Sequence, residues 1–453
     1  MRSIDPSTGR TLCEYPEHDP AEVGARLGRV AEAQRHWARS SFAERAVPLR
    51  RAAELLEAEK HQLAELMASE MGKPVRQGLG EIEKCALGAR IFADHAERWL
   101  APESIATEAR QSRVVYRPLG VILAIMPWNF PFWQVFRCAA PASMAGNAVL
   151  LKHAPNVTGC SLAIERLFAD AGLPPGLFAS LVIPVEALEP LYGDPRVAGV
   201  TLTGSTRAGR TVAAAAGAAL KKIVLELGGS DPYLVLADAD LELAASSCAA
   251  SRLQNAGQSC IAAKRLIVVQ DVYPAFVERL LERFRSVRVG DPRDERTELG
   301  PLARRDLRDA LELQVRASVA RGARCLLGGE TPSGPGFFYP PTILADVRPG
   351  MPAYEEELFG PVAVLLRVRD EAEAVRVAND TRYGLGAAVF TRDLERGRRI
   401  AELELEAGSC SVNAMVRSDP RLPFGGVRDS GLGRELGQLG IREFTNAKTV
   451  VVA

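Results

Sequence analysis

Three short stretches bring together residue types that can carry out acyl chemistry. In QNAGQSCIAAKR, Gln254 to Arg265, Cys260 follows Gly257, Gln258 and Ser259 and precedes an apolar run. Small and amide neighbours let backbone and substrate approach, and Lys264 and Arg265 raise the local positive potential, which favours a thiolate. In GVILAIMPWNFP, Asn129 follows an apolar strand on a loop fixed by Pro127 and Pro131. That places an uncharged amide at a strand's carboxyl end, where open α/β sheets bind ligands and a donor can meet an oxyanion. On this motif alone, an asparagine that satisfies its own loop backbone is the simpler account. In LELGGSDP, Glu226 ends an otherwise apolar strand. Burial there would raise its pKa toward the range of a general base, although loop N–H groups could equally satisfy it.

The other seven cysteines stand at 13, 85, 138, 160, 248, 325 and 410. Cys85, Cys138, Cys160 and Cys248 lie in helical segments, and Cys325 and Cys410 adjoin strand runs, so all six read as small buried hydrophobes. Cys13 lies in a polar stretch. No CxxC pair and no HExxH pattern occurs, which disfavours a disulfide framework and a metal site. Lys plus Arg and Asp plus Glu number 56 each, so no net field gathers nucleic acid, an anionic membrane or an acidic partner. Small ligands are expected instead. The first residues are polar and the apolar runs fall short of the ~20 residues that span a bilayer, so the expected location is the cytoplasm.

These residues need elements to hold them. With 453 residues, 47% of them hydrophobic, the chain can form two or three domains. Asp19 opens an amphipathic helix, and Ser41 with Glu44 forms a capping box before a long helix ending at Gly72. From Val121 short apolar runs alternate with helical segments: GVILAIMP, a helix from about Pro131, AVLLK, a helix from Thr158, FASLVIP, then VAGVTLTG and a helix over 206–219. KKIVLELGG closes this βαβ series, and near Gly229 a second α/β series starts through KRLIVVQ, VAVLLRV, AAVFT and SCSVN. SRVVYRPLG and FTNAKTVVVA read as exposed strands, which need partners, here expected between subunits.

In VTLTGSTRAGRTVA, Gly204 and Ser205 turn from a strand into a helix whose first N–H groups can cradle phosphate. The spacing is not GxGxxG, so the signal is weak taken alone. GLGRELG, from Gly431, fits that spacing better but follows no strand of a βαβ unit, and it is not read as a dinucleotide fingerprint.

Together PWNFP, TGSTRAG, LELGGSDP, GQSC, EELFGP and PFGGVRDSGLGRE resemble the aldehyde dehydrogenase superfamily, in that order and over essentially the whole chain. MPWNFPFWQVFRCAAP and NAVLLKHAPN, with LELGGSDP, further resemble its short bacterial succinate-semialdehyde dehydrogenases. The resemblance implies an α/β fold with a Rossmann-type cofactor domain (1–105 and 119–228), an α/β catalytic domain (229–432) and a β oligomerisation arm (106–118 and 433–453). It implies a homodimer or a dimer of dimers. By the same matching, Cys260 is the nucleophile, Asn129 holds the oxyanion and Glu226 activates water. Lys152, Gly204, Ser205, Glu357, Phe359, Trp128, Pro155 and Leu227 would meet NADP or NAD. NAD-preferring relatives carry a carboxylate where Pro155 stands; its absence, with His153 close by, favours acceptance of NADP. For the substrate the resemblance points to Arg137, as a carboxylate fork, with Trp133, Gln254 and Ser418. Gln254 stands where some relatives carry a second arginine, and Phe132 and Trp133 could favour an apolar or aromatic aldehyde. Succinate semialdehyde is the expected substrate. The alternatives are another semialdehyde, an aromatic or aliphatic aldehyde, or transfer of the acyl group to coenzyme A.

Overall fold

End signals explain the helical amino-terminal third. Asp19 caps Pro20–Trp37 by accepting the Glu22 N–H. Ser41 and Glu44 exchange both bonds of the capping box ahead of Phe42–Met71, which ends at Gly72 with φ 78°. That left-handed turn suits glycine, and a Cβ there would also meet the Pro301 ring at 2.8 Å. Val75–Trp99 follows as a third helix. The computed structural model describes all 453 residues.

Two sheets organise the rest. The first has five parallel strands, Phe178–Ser180, Ala148–His153, Val121–Met126, Val197–Thr203 and Lys222–Glu226, in that spatial order, with Gly431–Leu432 added antiparallel at the edge. In chain order the parallel strands run 3-2-1-4-5. Their switch point lies between Val121–Met126 and Val197–Thr203, and the crevice outside the carboxyl ends at such a point is where open α/β sheets bind ligands. The second sheet runs Arg324–Leu327, Thr342–Ala345, Val362–Val368, Arg265–Val269, Pro232–Val235, Gly386–Phe390 and Ser409–Val412. All its pairs are parallel except the first. Continuous Val, Ile and Leu runs suit strands covered on both faces. Each sheet has its own core, of 72 and 49 buried apolar residues, and Ile261 packs against both. The residue after Cys260 therefore marks the seam between them.

Within the chain the two exposed strands pair with each other: Thr445–Val452 runs antiparallel to Gln111–Pro118 over eight residue pairs, with Glu103–Ile105 on the other side. The segment assigned to the arm at 433–453 is corrected. Gly431–Leu432 joins the first sheet, and Leu436, Ile441 and Phe444 pack into the first core, so the arm's own carboxyl strand begins at Thr445. FASLVIP contributes only Phe178–Ser180 as strand. No helix is long and apolar enough to cross a membrane.

Candidate active site

Cys260 sits on a loop held against its own backbone preference. After the helix Leu241–Leu253, Asn255 (φ 54°), Ala256 (φ 53°) and Gly257 (φ 72°) lie consecutively in the left-handed region. Such a run persists only when neighbours over-determine it. The Asn255 amide donates to the Asn129 carbonyl at 2.6 Å, and its backbone N–H donates to Gln77 at 2.7 Å. The Ala303 N–H donates to the Gln258 side chain at 2.9 Å. Lys264 Nζ donates to the carbonyls of Ser259 at 3.0 Å and Cys260 at 2.6 Å. The Cys260 N–H donates to no protein acceptor, so it stays available to an oxyanion.

Cys260 is partly exposed, and burial pushes its thiol up to about 12 while Lys264 and Arg137 pull the other way. Desolvation outweighs the cations, so without ligand the sulfur carries its proton at neutral pH. Arg265 contributes nothing there. Its guanidinium turns into the second domain and donates to the carbonyls of Ser230, Val377 and Ala378 at 2.8–2.9 Å. Among the other cysteines, 85, 138, 160 and 248 are buried, but Cys325 is exposed and Cys410 only half-buried, against the expectation for both.

Asn129 bonds the nucleophile's loop rather than its own: its Nδ2 donates to the Gln258 carbonyl at 3.0 Å, leaving a second N–H for an oxyanion. Two devices frame the Asn129 loop. Glu81, buried in the third helix, accepts the N–H groups of Phe132 and Trp133 at 2.9 Å each. Its other oxygen pairs with the buried Lys73, whose ammonium sits 3.8 Å from the Phe130 ring centre. On the far side His153 accepts the Ala154 N–H at Nδ1 and bonds the Pro131 carbonyl through Nε2, at 2.9 Å each. Burial lowers His153 to about 4, so it is neutral and occupied. The imidazole beside Lys152, expected to favour acceptance of NADP, therefore brings no charge to that task.

Glu226 ends its strand fully buried, and neither carboxyl oxygen is bonded by a protein group. Burial raises it well above the ordinary carboxylate range; Arg137 opposes this and the Glu435 carboxylate adds to it. Gly425 explains part of PFGG: a Cβ there would lie 2.7 Å from a Glu226 oxygen. Gly228 and Gly229 likewise admit the Glu357 carboxylate and the Cys260 carbonyl, the latter 2.7 Å from where a Gly229 Cβ would stand.

The crevice offers what a dinucleotide needs. Ser205 caps Thr206–Ala218 by accepting the Ala208 N–H at 3.3 Å, while the Thr206 and Arg207 N–H groups meet no protein acceptor. The Gly204 N–H donates to the Glu226 carbonyl at 2.9 Å, tying the phosphate turn to the base's strand. Lys152 is buried without an ion-pair partner, and burial lowers it to about 8. The Glu186 carboxylate acts in the opposite sense and raises it. Sequence reasoning missed Glu186, because it arrives from a separate turn after the third strand instead of three residues beyond the lysine. Pro155 is exposed. Leu227 packs on Gly209 of the phosphate helix, where a Cβ would meet it at 2.5 Å. Trp128 and Phe359 meet edge to face at 5.8 Å, and Glu357 accepts the Gly229 N–H at 3.1 Å and pairs with Lys264 at 3.1 Å. A charged ribose-and-phosphate ligand fits these groups.

On the substrate side the structure corrects Arg137. Its guanidinium is 2% exposed, pairs with the buried Glu435 and donates to Thr203 at 3.2 Å. The fork meant for a substrate's carboxylate already holds one. Glu435 escaped notice because it comes from the other end of the chain, in the glycine-rich GLGRELG. Trp133 and Ser418 meet directly, Nε1 donating to Oγ at 3.2 Å. Gln254 is exposed at the start of the left-handed turn.

The family model described as the aldehyde dehydrogenase family matches residues 1–450. A Synechocystis protein named probable succinate-semialdehyde dehydrogenase [NADP(+)] is 49% identical over 453 residues, all of both chains. An Escherichia coli protein named succinate semialdehyde dehydrogenase [NAD(P)+] Sad is 47% identical over 448 residues, 99% of this chain and 97% of that one. The crystal structure of succinic semialdehyde dehydrogenase from Streptococcus pyogenes in complex with NADP+ superposes with a TM-score of 0.97 at 36% identity, covering 100% of this chain and 99% of that one.

Proposed function

We propose that this chain, which belongs to the aldehyde dehydrogenase family, oxidises succinate semialdehyde to succinate with NADP, and accepts NAD. Two observations carry the chemistry: a partly exposed thiol at the seam of the two cores, and a fully buried carboxyl that no protein group bonds, at the end of the last parallel strand of the first sheet. The relatives that carry NADP and succinate semialdehyde in their names support the choice of cofactor and substrate.

Cys260, once its proton has passed to solvent, attacks the aldehyde carbon as the thiolate, forming a C–S bond while the carbonyl π electrons move to oxygen. The second N–H of the Asn129 amide and the Cys260 backbone N–H hold that oxyanion. Lys264 keeps the Cys260 carbonyl, and hence its N–H, in place. A nicotinamide cofactor bound in the crevice would supply the acceptor for the hydride that leaves the former aldehyde carbon. Lys152 with Glu357 would bind its riboses, and Ser205 and the helix behind it its phosphates. What remains on Cys260 is a thioester. Glu226, once deprotonated, takes a proton from the water that attacks this thioester; the C–S bond breaks, releasing succinate and the thiol.

The eight free cysteines suit a reducing cytoplasm. Initial rates of NADPH formation from succinate semialdehyde, with and without coenzyme A, test the reading. Rates independent of coenzyme A are expected; strict dependence on it would overturn hydrolysis by Glu226.

A further inference from the structure

The third helix presents Glu81, Lys84 and Gly88 toward the start of the helix Trp133–Met144. Glu81 bonds its first N–H groups, and a Cβ on Gly88 would touch the Trp133 ring at 3.1 Å. Between them lies Lys84. Its ammonium sits 4.4 Å from the Trp133 ring centre and donates to Ser418 Oγ at 2.6 Å. No carboxylate lies within ion-pair distance of it. The two acids that act on it from nearby are taken, Glu81 by Lys73 and Asp419 by Arg421 at 2.6 Å. A mostly buried ammonium with one neutral acceptor has two N–H donors unmatched, and this is costly unless a ligand meets them. Burial first, and then the Arg137 cation, push Lys84 down to about 8, the response of a cation without a counter-ion.

Ser418 sharpens the picture. Its oxygen accepts from both Lys84 and Trp133, so its own O–H is free to donate. Two donors of complementary kind therefore converge beside Trp133, one turn along the helix from Arg137 and four residues beyond Asn129. Arg137 cannot serve there without abandoning Glu435. We infer that Lys84, with the Ser418 hydroxyl, takes the carboxylate of the semialdehyde substrate, the task that the family resemblance implies for Arg137. This rests on the proposed reading of the substrate as a semialdehyde acid, and it makes Lys84 a specificity-determining residue.

The test compares kcat/KM for succinate semialdehyde and for butanal, which has the same carbon chain without the carboxylate, in the wild type and in Lys84→Met. A charge-assisted bond to a carboxylate is worth about 10- to 100-fold. The ratio should fall by about that factor through KM for the acid, and Lys84→Arg should restore part of it. Ser418→Ala, which removes one donor and no charge, should lower the ratio about threefold to tenfold. If Lys84→Met and Ser418→Ala both keep the wild-type ratio, or lose rate equally on both aldehydes, Lys84 does not read the carboxylate and the inference falls alone. A wild type that does not prefer succinate semialdehyde to butanal would overturn both this inference and the substrate on which it rests.

Discussion

At the scale of single residues, chemistry is set by which group wins a contest between burial and charge. Cys260 has cations near it, yet burial holds its thiol at about 12. Below that value the thiolate fraction rises about tenfold per pH unit. Alkylation of Cys260 by iodoacetamide, followed by peptide mass spectrometry, should therefore accelerate by about that factor per unit from pH 7 to 9. A plateau in that range would mean a thiol already ionised. Glu226 is raised for the same reason, so it holds its proton at low pH and works as a base only once the pH passes its elevated value. Deacylation should show an ascending limb above the usual glutamate range of about 4.3, and Glu226→Gln should remove that limb. The thiol, amide and carboxyl proposed as nucleophile, oxyanion holder and base were legible in the sequence as residues, because each stands beside glycines or prolines that a close approach requires. Arg137 was not. Its partner Glu435 lies near the opposite terminus, and no local pattern reveals an ion pair closed by the fold.

At the scale of elements, the loops that carry chemistry are rigid because helices outside the sheets brace them. The pair Lys73 and Glu81 has both side chains 1% exposed and holds Phe130, Phe132 and Trp133. Removing one partner leaves the other charge buried, which costs about 3–5 kcal/mol. Lys73→Met and Glu81→Gln should each lower the urea midpoint accordingly, and the double variant should recover a large part of the loss. Additive losses would mean that the two groups do not act as a pair. The elements themselves were readable from capping boxes and alternating runs. Their braces were not, since Lys73 beside Pro74 looks like the end of a helix until tertiary packing buries it. FASLVIP was read too long for a related reason: only three of its residues find a neighbouring strand.

At the scale of the whole molecule, two sheets with separate cores meet near Cys260, and a three-stranded ribbon touches the first core through Tyr116 and leaves its outer edge free. In Thr445–Val452 all residues but the first are exposed, among them Val450, Val451 and Val452. An apolar outer edge of this kind is open to pairing with another strand, and we propose a second copy of the chain as its partner. The full-length protein should sediment as a homodimer or a dimer of dimers, and deletion of 445–453 should shift it toward monomer or aggregate; a full-length monomer at micromolar concentration would contradict this. We propose that the seam between the cores lets a sulfur from one domain and a carboxyl from the other act in turn on the same carbon. That is tested most directly by mixing Glu226→Gln with succinate semialdehyde and NADP and digesting the quenched protein. We predict NADPH formed in a single burst and a succinyl group on the peptide bearing Cys260. Full steady-state turnover by Glu226→Gln, or an acyl group on any other residue, would contradict the account.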